Sequence, residues 1–235
     1  MQYKIYTNIG KVRNDNEDSY LLKMEPYPLI AVADGMGGHS AGEIASKLAV
    51  DFINEYNFVF QNNLLKEIED SINAANMNIH KLGNQQQEYR DMGTTLSMGI
   101  IYQNSLYIGH VGDSRIYLFR DNTGKQLTTD HSLVNQLLEN NQITYKEAFN
   151  HPQRHIITQA LGTSSNLKVE TKKVSLQNND ILLFCTDGLS DMVKFNIIEE
   201  LYQSHSNLKE LSNNLGEKAL ENGGNDNITF ILFQV

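Results

Sequence analysis

The sequence predicts an α+β fold in which runs of strands are separated by helices, and two observations support this. Short segments rich in apolar and β-favouring residues occur at the start, in the middle and at the end of the chain. Two longer segments after the first run carry apolar residues at helical spacing. A layered α+β arrangement fits this order better than a strict alternation of strand and helix. The 235 residues fit one large domain, and 40% hydrophobic residues allow a sizeable core.

The first three predicted strands are short and dominated by apolar or β-favouring side chains. They are Tyr3–Thr7, Tyr20–Met24 and Leu29–Ala33. Ile44, Leu48 and Phe52 then recur at helical intervals, which predicts a first helix. A second amphipathic helix is predicted from about Asn63 to Lys81. The chain therefore begins with strands and continues with two successive helices.

A second run of strands follows, and its short connections favour antiparallel neighbours. These strands are Thr94–Tyr102, Leu106–Val111 and Ile116–Arg120. From Ser132 to about Gly162 the chain is polar, which predicts an excursion from the core with short helices. His131 and His155 border or lie in this excursion and are interpreted as surface groups. The remaining predicted elements are strands Val169–Val174 and Ile181–Cys185, helix within Val193–Asn222, and strand Ile228–Val235.

The composition narrows the classes of function. The formal net charge is -9 and no basic run is visible, whereas a nucleic-acid-binding protein usually carries a basic patch. No apolar run approaches the ~20 residues that span a bilayer, and the N-terminal residues do not resemble a signal peptide. Cys185 is the only cysteine, which excludes an intrachain disulfide. We therefore expect a cytoplasmic monomer that binds neither nucleic acid nor membranes.

Acidic residues stand in short loops at the edges of the predicted strands. The loops are Asn16–Asp18, Asp34–Gly35, Gly112–Arg115, Thr186–Gly188 and Gly223–Asn227. Mg²⁺ and Mn²⁺ prefer carboxylate, carbonyl and water oxygens, and an Asp-Gly pair offers both a side chain and a carbonyl. Convergent acids repel one another unless cations lie between them. On this chemistry alone, a two-metal site and a set of ordinary turns explain the loops equally well, since Asp-Gly is also a common turn signal.

Taken together and in order, these loops resemble the motif series of the bacterial 2C-type (PPM) protein phosphatases. Arg13–Ser19 resembles the opening motif, and Val32–His39 resembles the bacterial form of the second. The further motifs are Met92–Leu96, Gly109–Arg115, Leu127–Ser132, Ile157–Gly162, Thr186–Leu189 and Gly224–Thr229. One such motif is weak evidence, whereas an ordered series across residues 10–230 is specific.

The resemblance implies a particular fold and activity. The fold would be an αββα sandwich, in which two antiparallel sheets face each other and helices cover both. Residues 1–235 would form a single catalytic domain with a variable flap at about 132–162. The site would lie at one edge of the sandwich, where the acidic loops meet. The activity would be hydrolysis of phosphoserine and phosphothreonine on proteins, with Mn²⁺ or Mg²⁺ as cofactor.

The resemblance also implies the metal ligands. Asp34 would bridge two ions, with Asp187 and Asp226 as further ligands of the first, and the Gly35 carbonyl would bind the second. Bacterial relatives often bind a third ion, for which Asp113 and Asp187 are the matching ligands. Two ions ~3.5–4 Å apart hold a water and lower its pKa. The resulting hydroxide would attack phosphorus in line, without a covalent phosphoenzyme.

Four more residues complete the expected site. Glu17 and Asp18 would lie near the second ion, directly or through water. Arg13 would hold the phosphate as a planar, bidentate donor. His39 is the candidate for protonating the leaving oxygen, because the reference pKa of histidine is ~6.5. Many eukaryotic relatives carry a histidine directly after Asp-Gly, where this sequence has Met36, so metal-bound water is the alternative acid.

Three alternatives remain open at this point. The chain could be a degenerate family member that binds metal or phosphate without turnover, although Arg13 and the expected ligand aspartates are intact. It could be a metal-dependent phosphodiesterase or nuclease, although such substrates favour a basic groove. As for its role, we expect a phosphatase that reverses bacterial serine/threonine kinase signalling, with that kinase and its substrates as partners. The alternative role is action on one dedicated regulator in stress or sporulation signalling.

Overall fold

The computed structural model describes residues 1–37, 41–60, 63–144, 147–148, 151–205 and 207–235. In chain order, its strands are β1 (Gln2–Asn8), β2 (Asp18–Lys23), β3 (Leu29–Met36), β4 (Gly93–Thr94), β5 (Leu96–Tyr102), β6 (Ser105–Val111), β7 (Arg115–Arg120), β8 (Thr123–Gln126), β9 (Glu170–Ser175), β10 (Ile181–Cys185) and β11 (Ile228–Gln234). Its helices are α1 (Ala41–Glu55), α2 (Leu64–Gln85), α3 (Leu133–Glu139), α4 (Asp187–Ser190), α5 (Phe195–Ser204) and α6 (Leu208–Glu221).

The strands form two antiparallel sheets. Sheet A has the order β1-β11-β10-β7-β8, and sheet B has the order β2-β3-β5-β6-β9 with β4 beside β3. The neighbouring strands pair antiparallel. Helices α1 and α2 contact sheet B, whereas α6 contacts β1 and β11 of sheet A. These contacts confirm the expected αββα sandwich.

Alternating side chains of β3 separate the layers of sheet B. Ile30 and Val32 belong to the apolar cluster between the two sheets, while Ala31 and Ala33 belong to the cluster shared with α1 and α2. Successive side chains of a strand point to opposite faces, so a strand buried on both faces must be apolar throughout. The small alanines let α1 approach closely with its own buried residues, such as Ala45.

The same alternation organises sheet A. Leu182 and Phe184 of β10 face the inter-sheet cluster, whereas Leu183 and Cys185 face the cluster shared with α4, α5 and α6. Fully burying a leucine or phenylalanine side chain stabilises the fold by about 1.5–3 kcal/mol. The three apolar clusters therefore hold four layers together, and the loops at the strand ends are placed on a rigid framework.

Helix α2 shows how the pattern of the sequence becomes structure. The Asn63 side chain caps it by accepting a hydrogen bond from the N–H of Lys66 at 3.4 Å. Ile68, Ile72 and Ile79 form part of its buried face, at the predicted helical spacing. The helix ends at Gln85, four residues beyond the predicted Lys81. Across the described ranges, no helix is long and apolar enough to span a membrane.

Sheet B differs from the prediction at the acidic end of β3. The prediction ended this strand at Ala33, but it continues to Met36. Gly35 and Met36 pair with the two residues of β4, whose Thr94 the prediction had placed in one strand with β5. Asp34 is therefore a residue within the strand rather than in a loop after it, and its backbone is held on both sides.

Between β8 and β9 the chain leaves the sheets, as its polar composition predicted. We call residues 132–162 the flap segment. Its helix α3 begins after Ser132, whose side chain caps the helix. Its two ends lie side by side, because Ser132 bridges to Ile157, and the segment is tied to β4, because Leu161 bridges to Thr94. The segment is thus anchored beside the loops that carry the acids.

Candidate active site

Carboxylates from both sheets meet at one edge of the sandwich. Asp18 of β2 and Asp34 of β3 lie directly opposite each other in sheet B. From sheet A, Asp187 follows β10 as the first residue of α4, and Asp226 lies just before β11. Asp113, in the turn between β6 and β7, is close enough to Asp34 to repel it electrostatically. We call these five aspartates the carboxylate cluster.

The carboxylate cluster is largely enclosed by protein, since Asp113 is buried and the other four aspartates are half-buried. This enclosure changes the acidity of the carboxyl groups. Burial raises the pKa of Asp18, Asp34 and Asp113 well above the ordinary aspartate value, and repulsion from Asp187 adds to it in each case. Burial also raises the pKa of Asp187 to about 6. The cluster therefore holds more negative charge than its protein neighbours neutralise.

Two oxygen atoms of the cluster indicate what is needed to complete it. Among the described residues, Asp18 Oδ1 and Asp113 Oδ1 are buried without a hydrogen-bond partner. A buried oxygen without a partner is costly, and a buried unpaired charge is more so. Divalent cations such as Mg²⁺ and Mn²⁺ bind carboxylate oxygens and supply the positive charge. The residues of the carboxylate cluster therefore fit the metal ions that the sequence predicted.

Gly35 lies where three backbone segments converge. Its N–H donates to the carbonyl of Glu17 at 3.1 Å. A Cβ at this position would overlap the carbonyl oxygen of Gly42 in the first turn of α1, so no larger residue fits. Ser46 of α1 also donates to the Glu17 carbonyl, at 2.6 Å. The Glu17 loop is thus fixed beside Gly35, and burial raises the pKa of the half-buried Glu17 carboxyl.

Arg13 and Asp226 form an ion pair at the rim of the cluster. Arg13 Nη2 lies 2.7 Å from Asp226 Oδ2, and the side chains are 50% and 34% exposed, respectively. Arg13 was expected to bind phosphate and Asp226 to bind metal. In this structure each instead neutralises the other, while the exposed half of the guanidinium group faces solvent. The pair thus places the Arg13 side chain at the rim of the carboxylate cluster.

Two side chains of sheet A position the acids of sheet B. Thr186 Oγ1 donates to Asp18 Oδ2 at 2.9 Å. Asn227 Oδ1 accepts the N–H of Glu17 at 2.8 Å, and its Nδ2 donates to the carbonyls of Ile9 and Asp15, each at 2.9 Å. The bonds to Asp18 and Glu17 cross between the two sheets. They fix the distance between the acidic loops of the two sheets.

Thr95 supports Asp34, a role that the sequence did not assign. The Asp34 N–H donates to Thr95 Oγ1 at 2.9 Å, and the Thr95 N–H donates to the Asp34 carbonyl at 2.9 Å. Thr95 Oγ1 is also 2.7 Å from Ser114 Oγ. Thr95 therefore links the backbone of Asp34 to the turn that carries Asp113. The only signal in the sequence was its place in the Met92–Leu96 motif.

His155 and Asp191 adjoin the carboxylate cluster, and neither was predicted to do so. His155 Nδ1 lies 3.1 Å from Asp191 Oδ2, and with Asp187 they form a group whose ligand atoms all lie within 4.8 Å. Asp191 stands four residues after Asp187, a spacing that puts two side chains on one helical face and could have been noticed. His155 comes from the flap segment, so only the tertiary fold brings it here.

His155 is exposed, as the sequence suggested, whereas His131 is not a surface group. His131 is half-buried. Its backbone N–H donates to the Gly112 carbonyl at 2.7 Å, and its ring Nδ1 accepts the Gly112 N–H at 3.2 Å. It packs near His110, whose pKa is lowered to about 3 by burial, so His110 is neutral. The contact between His131 and Gly112 was missed because the two residues lie in different loops, and no local pattern in the sequence links them. It fixes the turn that contains Asp113.

The structure therefore brings together most of the predicted site. The carboxylate cluster, Gly35 and Glu17 converge, and Arg13 lies at their rim through Asp226. His39 lies outside the described residues, so its role as the proton donor stays a prediction. The assignment of each aspartate to a particular ion also stays a prediction.

Sequence comparison places the chain among characterised proteins. A family model described as Protein phosphatase 2C matches residues 11–225. The chain is 37% identical to the serine/threonine phosphatase stp of Listeria welshimeri, over 100% of this chain and 96% of that protein. It is 39% identical to the protein phosphatase PhpP of Streptococcus pneumoniae, over 99% of this chain and 96% of that protein.

Solved structures give the same picture. The serine/threonine phosphatase Stp1 from Staphylococcus aureus superposes with a TM-score of 0.93 at 35% identity, covering 100% of this chain and 94% of that one. The Mycobacterium tuberculosis phosphatase PstP/Ppp superposes with a TM-score of 0.92 at 34% identity, covering 100% and 98%. Matches of this extent in both sequence and structure show that the chain belongs to the bacterial protein phosphatase 2C (PPM) family.

Proposed function

We propose that this protein phosphatase removes phosphate from phosphoserine and phosphothreonine on other proteins, using divalent cations held by the carboxylate cluster. The observation that carries the metal assignment is the pair of buried, unpartnered oxygens, Asp18 Oδ1 and Asp113 Oδ1. Relatives named as serine/threonine phosphatases support the substrate class.

The proposed ligands follow the resemblance and fit the observed placement. Asp34 would bridge two ions, Asp187 and Asp226 would complete the first, and the Gly35 carbonyl would face the second. When bound, the ions activate water and neutralise the charge of the phosphate. A related PstP structure contains two manganese ions, at a TM-score of 0.86 and 33% identity. This supports Mn²⁺ or Mg²⁺ as the cofactor here.

The second and third positions involve the remaining acids. Asp18 and Glu17 would lie beside the second ion, and the Thr186 hydrogen bond would leave Asp18 Oδ1 as the oxygen aimed at it. Asp113 and Asp187 would hold a third ion. The unpartnered Asp113 Oδ1 supports this third position.

The chain's own side chains would then bind and orient the substrate. Arg13, half exposed beside Asp226, would donate hydrogen bonds to the phosphate oxygens. His39 is proposed to protonate the leaving serine or threonine oxygen. Cys185 does not act as a nucleophile, because it is fully buried and burial raises its pKa to about 12.

The wider setting of the enzyme is also a proposal. We propose that residues 1–235 act as a single catalytic domain with a flap at about 132–162. We further propose that it acts in the cytoplasm as a monomer and reverses the signal of a bacterial serine/threonine kinase. Full-length matches to bacterial stand-alone phosphatases support this setting.

Hydrolysis of a phosphothreonine peptide tests the proposal. Phosphate release should require Mn²⁺ or Mg²⁺, stop in EDTA, and be lost in Asp34→Asn, whose side chain keeps the shape of the original. A diester such as bis-p-nitrophenyl phosphate, assayed in parallel, should be hydrolysed far more slowly. Faster hydrolysis of the diester would favour a phosphodiesterase, and absence of turnover by folded, metal-loaded protein would favour a binding module.

A further inference from the structure

A cleft opens beside the carboxylate cluster, between the flap segment and the start of α5. Its volume is about 360 Å³, and its lining includes Asp113 and Asp187 of the carboxylate cluster. Val134 and Leu138 of α3 and Phe195 of α5 also line it. We call this space the flap cleft. Because two proposed metal ligands belong to its lining, a peptide whose phosphate reaches them also comes next to the flap cleft.

One wall of the flap cleft is an apolar helix face that the described chain covers only in part. Val134 and Leu138 are four residues apart, so they lie on the same side of α3. Neither is buried, and no residue of this seven-residue helix is buried. Grouped apolar side chains that remain accessible beside a polar site are typical of a binding surface.

A second apolar part of the lining is a rigid aromatic ring. Phe195 is 37% exposed. Its ring stacks on that of Tyr117, with centroids 5.3 Å apart and an angle of 16° between the planes. Tyr117 is itself buried in the core. A ring fixed in this way loses little conformational freedom when a ligand packs against its open part, which favours binding.

Outside the carboxylate cluster, the charged side chains that line the flap cleft are already engaged within the protein. Arg115 pairs with Asp130 at 2.6 Å, and His155 pairs with Asp191 at 3.1 Å. The other two cations, which also make interactions of their own, are Arg154 and Lys194. A charged substrate side chain would have to compete with these interactions, whereas an apolar one would not.

We propose that the flap cleft binds an apolar side chain of the phosphoprotein substrate, located next to the phosphorylated serine or threonine. The proposal rests on the proposed function, since it assigns the phosphate to the carboxylate cluster. It defines the substrate class more narrowly: phosphorylation sites with a large apolar neighbour are preferred. Val134, Leu138 and Phe195 are the residues that determine this specificity.

Paired peptides test the proposal on the whole protein. Each pair of phosphothreonine peptides carries leucine or asparagine at one flanking position, and all nearby positions are tried in turn. At one position leucine should raise kcat/KM about tenfold over asparagine, the discrimination typical of an apolar pocket. All rates are expressed relative to p-nitrophenyl phosphate, which has no side chain to occupy the cleft.

Variants of α3 provide the matched control. Leu138→Asn and, separately, Val134→Asn should abolish the preference for leucine. Leu137→Asn, on the same helix but not lining the flap cleft, should keep it. A wild-type protein without preference at any position, or a preference that survives both cleft variants, would overturn the assignment while phosphate release continues. Failure to hydrolyse p-nitrophenyl phosphate and every peptide would instead overturn the proposed function itself.

Discussion

Two residues in the same turn, Asp113 and Arg115, show two opposite ways of burying a charge. Arg115 forms three hydrogen bonds of 2.6–3.0 Å to the carboxylate of Asp130, and a further bond to the Tyr117 hydroxyl. Asp113, two residues earlier, has a buried oxygen with no partner among the described residues. Both positions cost desolvation energy, but only the first is compensated by the protein.

The two buried charges have different roles, because one stabilises the fold and the other belongs to the proposed metal site. A saturated ion pair such as Arg115–Asp130 stabilises the chain by itself. An unsaturated group such as the carboxylate cluster is stabilised by a cation that the chain does not supply. Replacing an aspartate of the carboxylate cluster should therefore lower activity and raise metal-free stability, whereas replacing Arg115 should lower stability.

The largest effect is expected in the carboxylate cluster. Asp34→Asn should reduce phosphatase activity by at least ~10³-fold, because the bridging ligand is lost. In EDTA the same variant should be more stable than the wild type, because a neutral amide removes repulsion among buried acids. Activity assays and urea denaturation measure the two effects. Asp51→Asn, an exposed acid on α1, is the control and should change neither.

Breaking the saturated pair should have the opposite pattern. Arg115→Met should lower the free energy of unfolding by about 3 kcal/mol, because Asp130 then remains buried without its partner. The loss should occur with or without Mn²⁺, as measured by urea denaturation. Arg90→Met removes an exposed arginine 4.0 Å from Asp91 and should leave stability unchanged. Equal stability of both variants would show that the Arg115–Asp130 pair contributes nothing.

A smaller effect is expected where the two sheets are joined. Thr186→Val removes the hydroxyl that donates to Asp18 Oδ2. The other oxygen, Asp18 Oδ1, already has no hydrogen-bond partner among the described residues. We expect a loss of about 1–2 kcal/mol in EDTA. Saturating Mn²⁺ should recover part of it, because the cation binds the same carboxylate. A loss that is identical with and without Mn²⁺ would argue against Asp18 as a ligand.

The smallest effect is a dependence on pH. Raised pKa values mean that the folded, metal-free protein holds protons that the unfolded chain releases above its ordinary aspartate pKa. Stability in EDTA is therefore lost as pH rises from about 4 towards the folded-state values, of which that of Asp187 is about 6. Mn²⁺ competes with these protons, so the gain in Tm from Mn²⁺ should grow as pH rises from about 5 to about 7.

His110 requires a control in that experiment. Burial lowers its pKa to about 3, so its contribution to stability is present above the unfolded value and is lost as pH falls. This trend opposes that of the acids. It is common to samples with Mn²⁺ and with EDTA, so the difference in Tm between them isolates the acids. A difference that is constant with pH would contradict the account.

Much of the fold and the approximate site were predictable from the sequence, for a local reason. Apolar strands that end in acidic loops put Asp34 and Asp187 at the ends of rigid elements, and helical spacing revealed α1 and α2. The order of the motifs then identified the family. Each of these signals lies within a few neighbouring residues, where the sequence carries it directly.

The features that were missed are all contacts between distant segments. The pairing of β3 with the two-residue β4, the Thr95 bonds to Asp34, and the approach of His155 to Asp191 join residues far apart in the chain. No local pattern specifies such pairings, because they depend on how whole layers pack. The same limit applies to the flap cleft, whose walls come from α3 and α5.

The measurement that tests the central claim most directly is a titration of the wild type and of Asp34→Asn with Mn²⁺. Electron paramagnetic resonance of the free ion reports how much Mn²⁺ each protein binds. The account predicts that the wild type removes at least two equivalents of Mn²⁺ from solution, and that the variant removes fewer and more weakly while staying folded. Equal binding by both proteins would show that Asp34, at the centre of the proposed metal site, is not a ligand.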